Sequence, residues 1–108
     1  MSNIDNEWGG KNTFWTKGGV VVTLAQMIEA TKDIPIVQIA TNTLSTNSGW
    51  KPSSKITPDM THPILILDDK IIDGNHRLKY AIDFDIFYVR CKKFTIDNIP
   101  KQMHSVFI

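Results

Sequence analysis

The chain has 108 residues, of which 42% are hydrophobic, and it carries a formal net charge of +1. This length predicts one domain with a modest core, and the balanced charge excludes the strong positive field of a nonspecific DNA-binding arm. A single cysteine excludes an internal disulfide, and no apolar run approaches the roughly 20 residues that a membrane helix needs. The N-terminus lacks the basic and apolar regions of a signal peptide, so we expect a cytoplasmic protein without a membrane partner.

The first 19 residues are rich in Asn, Gly, Lys and Trp and show neither helical nor strand periodicity. We interpret residues 1–19 as an irregular arm and residues 20–108 as the folded domain. Trp8, Phe14 and Trp15 favour packing of this arm onto the domain, because large aromatic side chains gain most from burial. Stacking on a ligand is the alternative for these rings.

The next segment predicts a helix, a strand and a long loop. Thr23-Leu24-Ala25-Gln26 has the pattern of a capping box and predicts a helix from about Thr23 to Thr31. Residues 34–40 are β-rich and predict a strand, with Pro35 near its start where a missing donor is tolerated. Residues 41–55 are too polar for a core and predict a loop that shapes a binding site.

The second half predicts a hairpin, a helix and a further strand. Residues 57–60 have the chemistry of a short helical turn, and residues 62–67 predict a strand. Asp68-Asp69 is typical of a hairpin turn, and a returning strand over residues 70–72 follows it.

The remaining elements follow from apolar periodicity. We predict a helix that runs to about Asp83 with Leu78, Ala81 and Ile82 facing inward, and then a strand over residues 85–91. The tail is predicted to be helical in part, with three apolar anchors: Met103, Val106 and Phe107.

The segment Asp73-Gly74-Asn75-His76-Arg77 lies where the returning strand passes into the helix. The start of a helix exposes N–H groups that have no internal partner, so it attracts anions. Gly74 lets the main chain approach a ligand closely, and His76 and Arg77 add donors. This segment therefore predicts a phosphate site.

Three side chains of this segment are candidates for chemistry. Arg77 comes first, because the chain has only two arginines and a guanidinium matches phosphate oxygens with two parallel donors. His76 donates to a phosphate or relays a proton, unless it is a purely structural histidine. Asp73 orients a magnesium ion or acts as a base, unless it caps the helix. We expect no metal site built from protein ligands alone, since His62 and His104 lack Cys or His partners at ligand spacing.

These residues carry a resemblance to a known superfamily. Five segments, taken in chain order, resemble the ParB and sulfiredoxin superfamily. They are the strand over residues 34–39, the hairpin over residues 63–72, the motif at 73–77, the helix that follows it and the strand at 86–90. The likeness extends from Ile34 to Phe94. It implies a small single domain of the α/β (α+β) class with a mixed sheet flanked by short helices.

The resemblance also implies a ligand and roles for the motif residues. It implies a nucleoside triphosphate or diphosphate with Mg²⁺, bound by Gly74, Asn75, His76 and Arg77. It further implies Asp73, His76 and Arg77 as catalytic residues. ParB proteins hydrolyse CTP, sulfiredoxins use ATP, and a branch of free-serine kinases has a similar Asp-Gly-x-His-Arg segment.

Two branches of the superfamily do not fit this chain. Asn75 stands where sulfiredoxins have their cysteine, so the nucleophile for sulfinate repair is missing. Partition proteins have Gly-Glu-Arg-Arg where this chain has Gly74-Asn75-His76-Arg77, and their later helix-turn-helix is absent. We therefore expect neither sulfinate repair nor centromere binding.

Two classes of function stay open. The first is a nucleotide-dependent phosphotransferase, NTPase or nuclease, in which Asp73 shares Mg²⁺ with the phosphates. The second is a non-catalytic accessory or inhibitor protein, for example of viral or mobile-element origin, which keeps the fold and binds a protein or nucleic-acid partner. Its aromatic arm and the loop around Trp50 would supply the contact surface. Glu7 and Glu29 are the only glutamates, so the chain offers only two candidates for a kinase-type glutamate base. This scarcity favours the second class.

Overall fold

A computed structural model describes residues 13–52 and 58–108 and shows a small α+β domain with a mixed sheet and short helices. The strands are β1 (Phe14–Lys17), β2 (Val20–Thr23), β3 (Val37–Ala40), β4 (Ile64–Leu67), β5 (Lys70–Asp73) and β6 (Tyr88–Phe94). The α-helices are α1 (Leu24–Ala30), α2 (Asn75–Asp83) and α3 (His104–Phe107). Short 3-10 turns cover Thr41–Thr43, Ile96–Asn98 and Lys101–Met103.

The first two strands form an antiparallel hairpin, so the prediction of an irregular segment is wrong for residues 14–19. Gly18 and Gly19 have φ angles of +60° and +84°, and these left-handed conformations close the tight turn. Trp15 packs against the core, with its ring centroid 5.6 Å from that of Phe107. Trp8 lies outside the described residues, and a division into arm and domain at residue 19 stays a prediction.

The capping box that opens α1 is confirmed. The Thr23 main-chain N–H donates to the Gln26 side chain at 2.8 Å, and the Gln26 N–H donates to the Thr23 hydroxyl at 3.2 Å. The strand predicted over residues 34–40 is shorter than expected, because the β3 ladder begins two residues after Pro35. Residues 41–52 contain one 3-10 turn and otherwise no regular structure.

The main sheet has the strand order β3-β6-β4-β5. Its β4–β5 pair is the predicted hairpin, and Asp68 and Asp69 form the turn with φ angles of 48° and 68°. Strand β6 runs parallel to β4 and antiparallel to β3. The α2 helix therefore lies on the crossover from the hairpin to β6, as parallel pairing requires.

Both faces of the main sheet are covered by apolar packing. In β4, Ile64 and Ile66 belong to the cluster beneath α2, whereas Leu65 and Leu67 belong to the cluster with α1 and the C-terminal elements. All four of these side chains are buried. The predicted anchors of the tail are confirmed, since Met103, Val106 and Phe107 pack against the cluster that contains Leu65 and Leu67.

Two predictions around the end of α2 are wrong. Ile82 is 45% exposed, because the buried stripe of α2 passes through Arg77, Leu78 and Ala81 and turns away from residue 82. The strand predicted over residues 85–91 begins at Tyr88, because Asp85 has a φ of 54° and turns the chain first. Among the described helices, none is long and apolar enough to cross a membrane.

We predict that Asp69→Gly raises the free energy of unfolding by about 0.5–1 kcal/mol, because glycine adopts a positive φ without the Cβ penalty. The lost ion pair with Lys93 is exposed and 3.8 Å long, so its loss costs little. Urea unfolding measures the change. Asp69→Ala removes the same carboxylate but keeps a Cβ, so it is the control. A stabilisation by Asp69→Ala equal to that of Asp69→Gly would attribute the gain to charge and contradict the backbone explanation.

Candidate functional site

The turn between β5 and α2 is built around Gly74. This residue is the N-cap of α2 and has a φ of +114°. A Cβ at this position would lie 2.9 Å from Cγ1 of Ile64 and 3.1 Å from Nη2 of Arg77. Glycine is therefore required by both its conformation and its packing, and the motif has a fixed backbone path.

The Asp73 carboxylate does not cap the helix, so that structural alternative is wrong. Its Oδ2 atom instead accepts a hydrogen bond from Nη2 of Arg77 at 2.8 Å. The same Nη2 atom donates to the main-chain oxygen of Pro63 at 3.2 Å. Asp73 is 6% exposed and Arg77 is 2% exposed, so the pair is an interior connection between β5, α2 and the residue before β4.

The electrostatics of this pair follow from burial. Burial raises the pKa of the Asp73 carboxyl, and the Arg77 guanidinium opposes part of the rise. Asp73 and Arg77 thus lie together, as expected of residues in one motif. Their side chains, however, are directed at each other and not at a ligand. The structure places the guanidinium in the interior and not on a surface where an external phosphate would meet it.

His76 lies on the outer side of the same turn and is half-buried. Its ring contacts Trp50 edge-on, with the ring centroids 4.9 Å apart and the planes at 82°. Burial and the positive charge of Arg77 both lower the pKa of His76 below its usual 6.5. The imidazole is therefore mainly neutral at pH 7 and offers one N–H donor and one acceptor nitrogen.

The loop over residues 44–52 contacts the motif directly. The main-chain N–H of Asn47 donates to Oδ1 of Asn75 at 3.0 Å, and its side-chain amide donates to the main-chain oxygen of Ile71 at 2.5 Å. These contacts place the loop against the motif, and its role in shaping a binding site stays a prediction. Sequence reasoning missed Asn47, and its only signal was the polar composition of the loop.

A second segment that was not predicted to belong to the site surrounds Asp59, whose carboxylate interacts electrostatically with Arg77. Asp59 accepts hydrogen bonds from the N–H and hydroxyl of Thr61 at 2.9 and 2.6 Å, and these bonds lower the pKa of its carboxyl. His62 lies 3.4 Å from the same carboxylate. The helical turn predicted here is a simple turn where it is described, and Thr57 lies outside the described residues.

Metal and thiol chemistry find little support in the described part of the chain. No group of three His, Cys, Asp or Glu side chains among residues 13–52 and 58–108 is placed to hold a metal ion. Cys91 is buried in β6, and burial raises the pKa of its thiol to about 11. A thiol with this pKa is almost fully protonated at neutral pH and is a poor nucleophile.

The motif residues thus form two layers. Asp73 and Arg77 are the inner layer, and Asn75 and His76, with Asn47 and Trp50, are the outer layer at the start of α2. Comparisons with protein-family models, with curated proteins and with solved structures give no match. The function of this site is therefore inferred from its geometry and from the motif.

We predict that Gly74→Ala lowers the free energy of unfolding by more than about 2 kcal/mol, because left-handed strain and close packing against Ile64 add together. Gly49→Ala is the matched control, since Gly49 has a φ of +82° and open space around it. It should cost only about 1 kcal/mol. Equal losses for the two variants, measured by urea unfolding, would contradict the close packing at Gly74.

We predict strong coupling between Asp73 and Arg77 in a double-mutant cycle. Asp73→Asn and Arg77→Met should each cost about 3–5 kcal/mol, because each leaves a buried charge without its partner. The double variant should cost clearly less than the sum of the two. Lys79 and Asp83 have the same i,i+4 spacing at the surface, so Lys79→Met is the control and should cost about 0.5 kcal/mol or less.

The same cycle has a predicted pH dependence. In Arg77→Met the Asp73 carboxyl keeps its burial and loses its cation, so its folded-state pKa rises further above the unfolded value. Stability linked to a raised carboxyl pKa is present at low pH and is lost as the pH rises through that pKa. The deficit of Arg77→Met relative to the wild type should therefore shrink on acidification. A deficit that is independent of pH would contradict a buried carboxylate as its cause.

Proposed function

We propose that this chain binds a phosphate-bearing ligand, a nucleoside triphosphate or diphosphate, at the start of α2. The main-chain N–H groups of residues 75–77 and the His76 imidazole are the proposed contacts. The observation that supports this best is the identity of the N-cap. Gly74 places no side chain at the N-cap, and the Asp73 carboxylate is directed to Arg77. The partial positive charge at the start of a helix favours an anion at this end of α2.

The outer layer supports a bound anion with a defined orientation. Asn47 fixes Asn75 and the end of β5, and Trp50 restricts the His76 ring. Groups that are held before binding lose less conformational entropy when the ligand arrives. A neutral His76 adds a donor to a phosphate oxygen without bringing a second positive charge close to Arg77.

In this proposal Asp73 and Arg77 position the turn and do not contact the ligand. That assignment differs from the roles that the superfamily resemblance implies for them. It also bears on Mg²⁺, since the Asp73 carboxylate is buried and engaged with Arg77 and so does not fit a metal ligand. Mg²⁺ therefore enters the proposal only as the ion that accompanies the nucleotide phosphates.

Binding without turnover is the class that we favour. Phosphoryl transfer needs positive charge and a base placed at the reacting phosphate. Here the two strongest candidates neutralise each other inside the domain. A small accessory protein that binds a nucleotide without turning it over agrees with this arrangement.

We predict that calorimetric titration with ATP, CTP, GTP and ADP, each with Mg²⁺, detects binding of at least one nucleotide. His76→Ala should weaken that affinity at least tenfold, which is about 1.4 kcal/mol. His104→Ala is the control, because His104 bonds to the Ile99 main-chain oxygen within the C-terminal segment. It should leave the affinity unchanged.

The same samples separate the two classes of function. Phosphate release at saturating nucleotide, lost in His76→Ala but kept in His104→Ala, would favour the enzyme class. Binding with no release supports the proposal. If no nucleotide binds up to about 1 mM, which corresponds to a binding free energy of about −4 kcal/mol, the motif is only structural and the proposal fails.

A further inference from the structure

One edge of the main sheet is uncovered among the described residues. Strand β3 is the outer strand beside β6, and its sequence Val37-Gln38-Ile39-Ala40 carries no charge. Ile36 and Val37 are each 41% exposed at this edge. An uncharged outer strand with exposed apolar residues is prone to pair with a further strand.

The opposite edge is protected. Strand β5 carries Lys70, its ladder with β4 has a bulge between Leu65 and Ile66, and Asn47 donates to the main-chain oxygen of Ile71. Charges, bulges and loop coverage are the devices with which proteins prevent strand addition. Because β5 has all three devices and β3 is uncharged, the two edges of this sheet differ in their protection against strand addition.

The C-terminal end of β3 opens into an apolar groove of about 440 Å³. Its lining includes Ala40, Thr41, Ile82, Phe87 and Tyr88. Phe87 and Tyr88 are 79% and 60% exposed, which is unusual for such large side chains.

We propose that β3 pairs antiparallel with β3 of a second copy of this chain, and that the apolar residues of each copy fill the groove of the other. A two-fold axis through Ile39 places Gln38 opposite Ala40 of the second copy, and the main-chain groups of both residues face the free edge. The same register brings Val37 of one copy opposite Thr41 of the other, at the groove.

Self-pairing suits this edge better than a foreign strand for two reasons. The strand has no charge, so antiparallel pairing with itself opposes no like charges. Each copy also supplies both the apolar residues at the start of β3 and the groove at its end, so every contact occurs twice in a two-fold dimer. This proposal does not depend on nucleotide binding, because it uses the other end of α2.

Sedimentation velocity of the full chain tests the proposal at about 5 µM and about 500 µM, which bracket the dissociation constant of a small interface. The weight-average mass should rise from 12.3 kDa toward twice that value. Val37→Lys should remain at the monomer mass at both concentrations. Val20→Lys is the matched control, since Val20 is 37% exposed on the other sheet, and it should dimerise as the wild type does.

Hydrogen exchange provides a readout that does not depend on a variant. The outward-facing amides of β3 should exchange more slowly at the higher concentration, whereas those of β1 and β2 should not change. A wild type that stays at 12.3 kDa at the higher concentration would overturn the proposal. A dimer that survives in Val37→Lys, or that Val20→Lys removes equally, would overturn it as well, because the association would then use another surface.

Discussion

The hydrogen-bonded ion pair between Asp73 and Arg77 is the constraint on which the rest of the site depends. It joins the last residue of β5 to the first turn of α2, and the bond to the Pro63 oxygen extends it to the start of β4. Removing two charges from water is expensive, and only a fixed geometry with several hydrogen bonds recovers that cost. The close packing of Gly74 on Ile64 and Arg77 provides such a geometry.

This interior pair decides which groups remain for a ligand. Because the strongest cation of the motif is used within the domain, positive potential at the surface comes from the end of α2 and from main-chain amides. The loop around Asn47 and Trp50 then limits the approach to His76. The proposed recognition of an anion relies on oriented dipoles more than on net charge, which agrees with the nearly neutral composition of the chain.

Much of the fold could be predicted because its signals are local. The Thr23 capping box and the Asp68-Asp69 turn each depend on a few adjacent residues. The motif could be placed between β5 and α2, but its side-chain geometry could not be predicted, since a motif does not reveal whether Arg77 points outward or toward Pro63, a residue fourteen positions away. The β1–β2 hairpin was missed because its first strand, at residues 14–17, lacks a clear alternation and relies on its partner.

The place of β6 in the sheet has a consequence for how the chain acquires its structure. This strand lies between β3 and β4 although it follows both in sequence, so β3 has no partner in the main sheet until residues 88–94 have been synthesised. Within the main sheet, the β4–β5 hairpin is the only strand pair that can form from neighbouring segments during translation. Closure of a long loop by β6 then completes the sheet in a late step, and such non-local pairing slows folding.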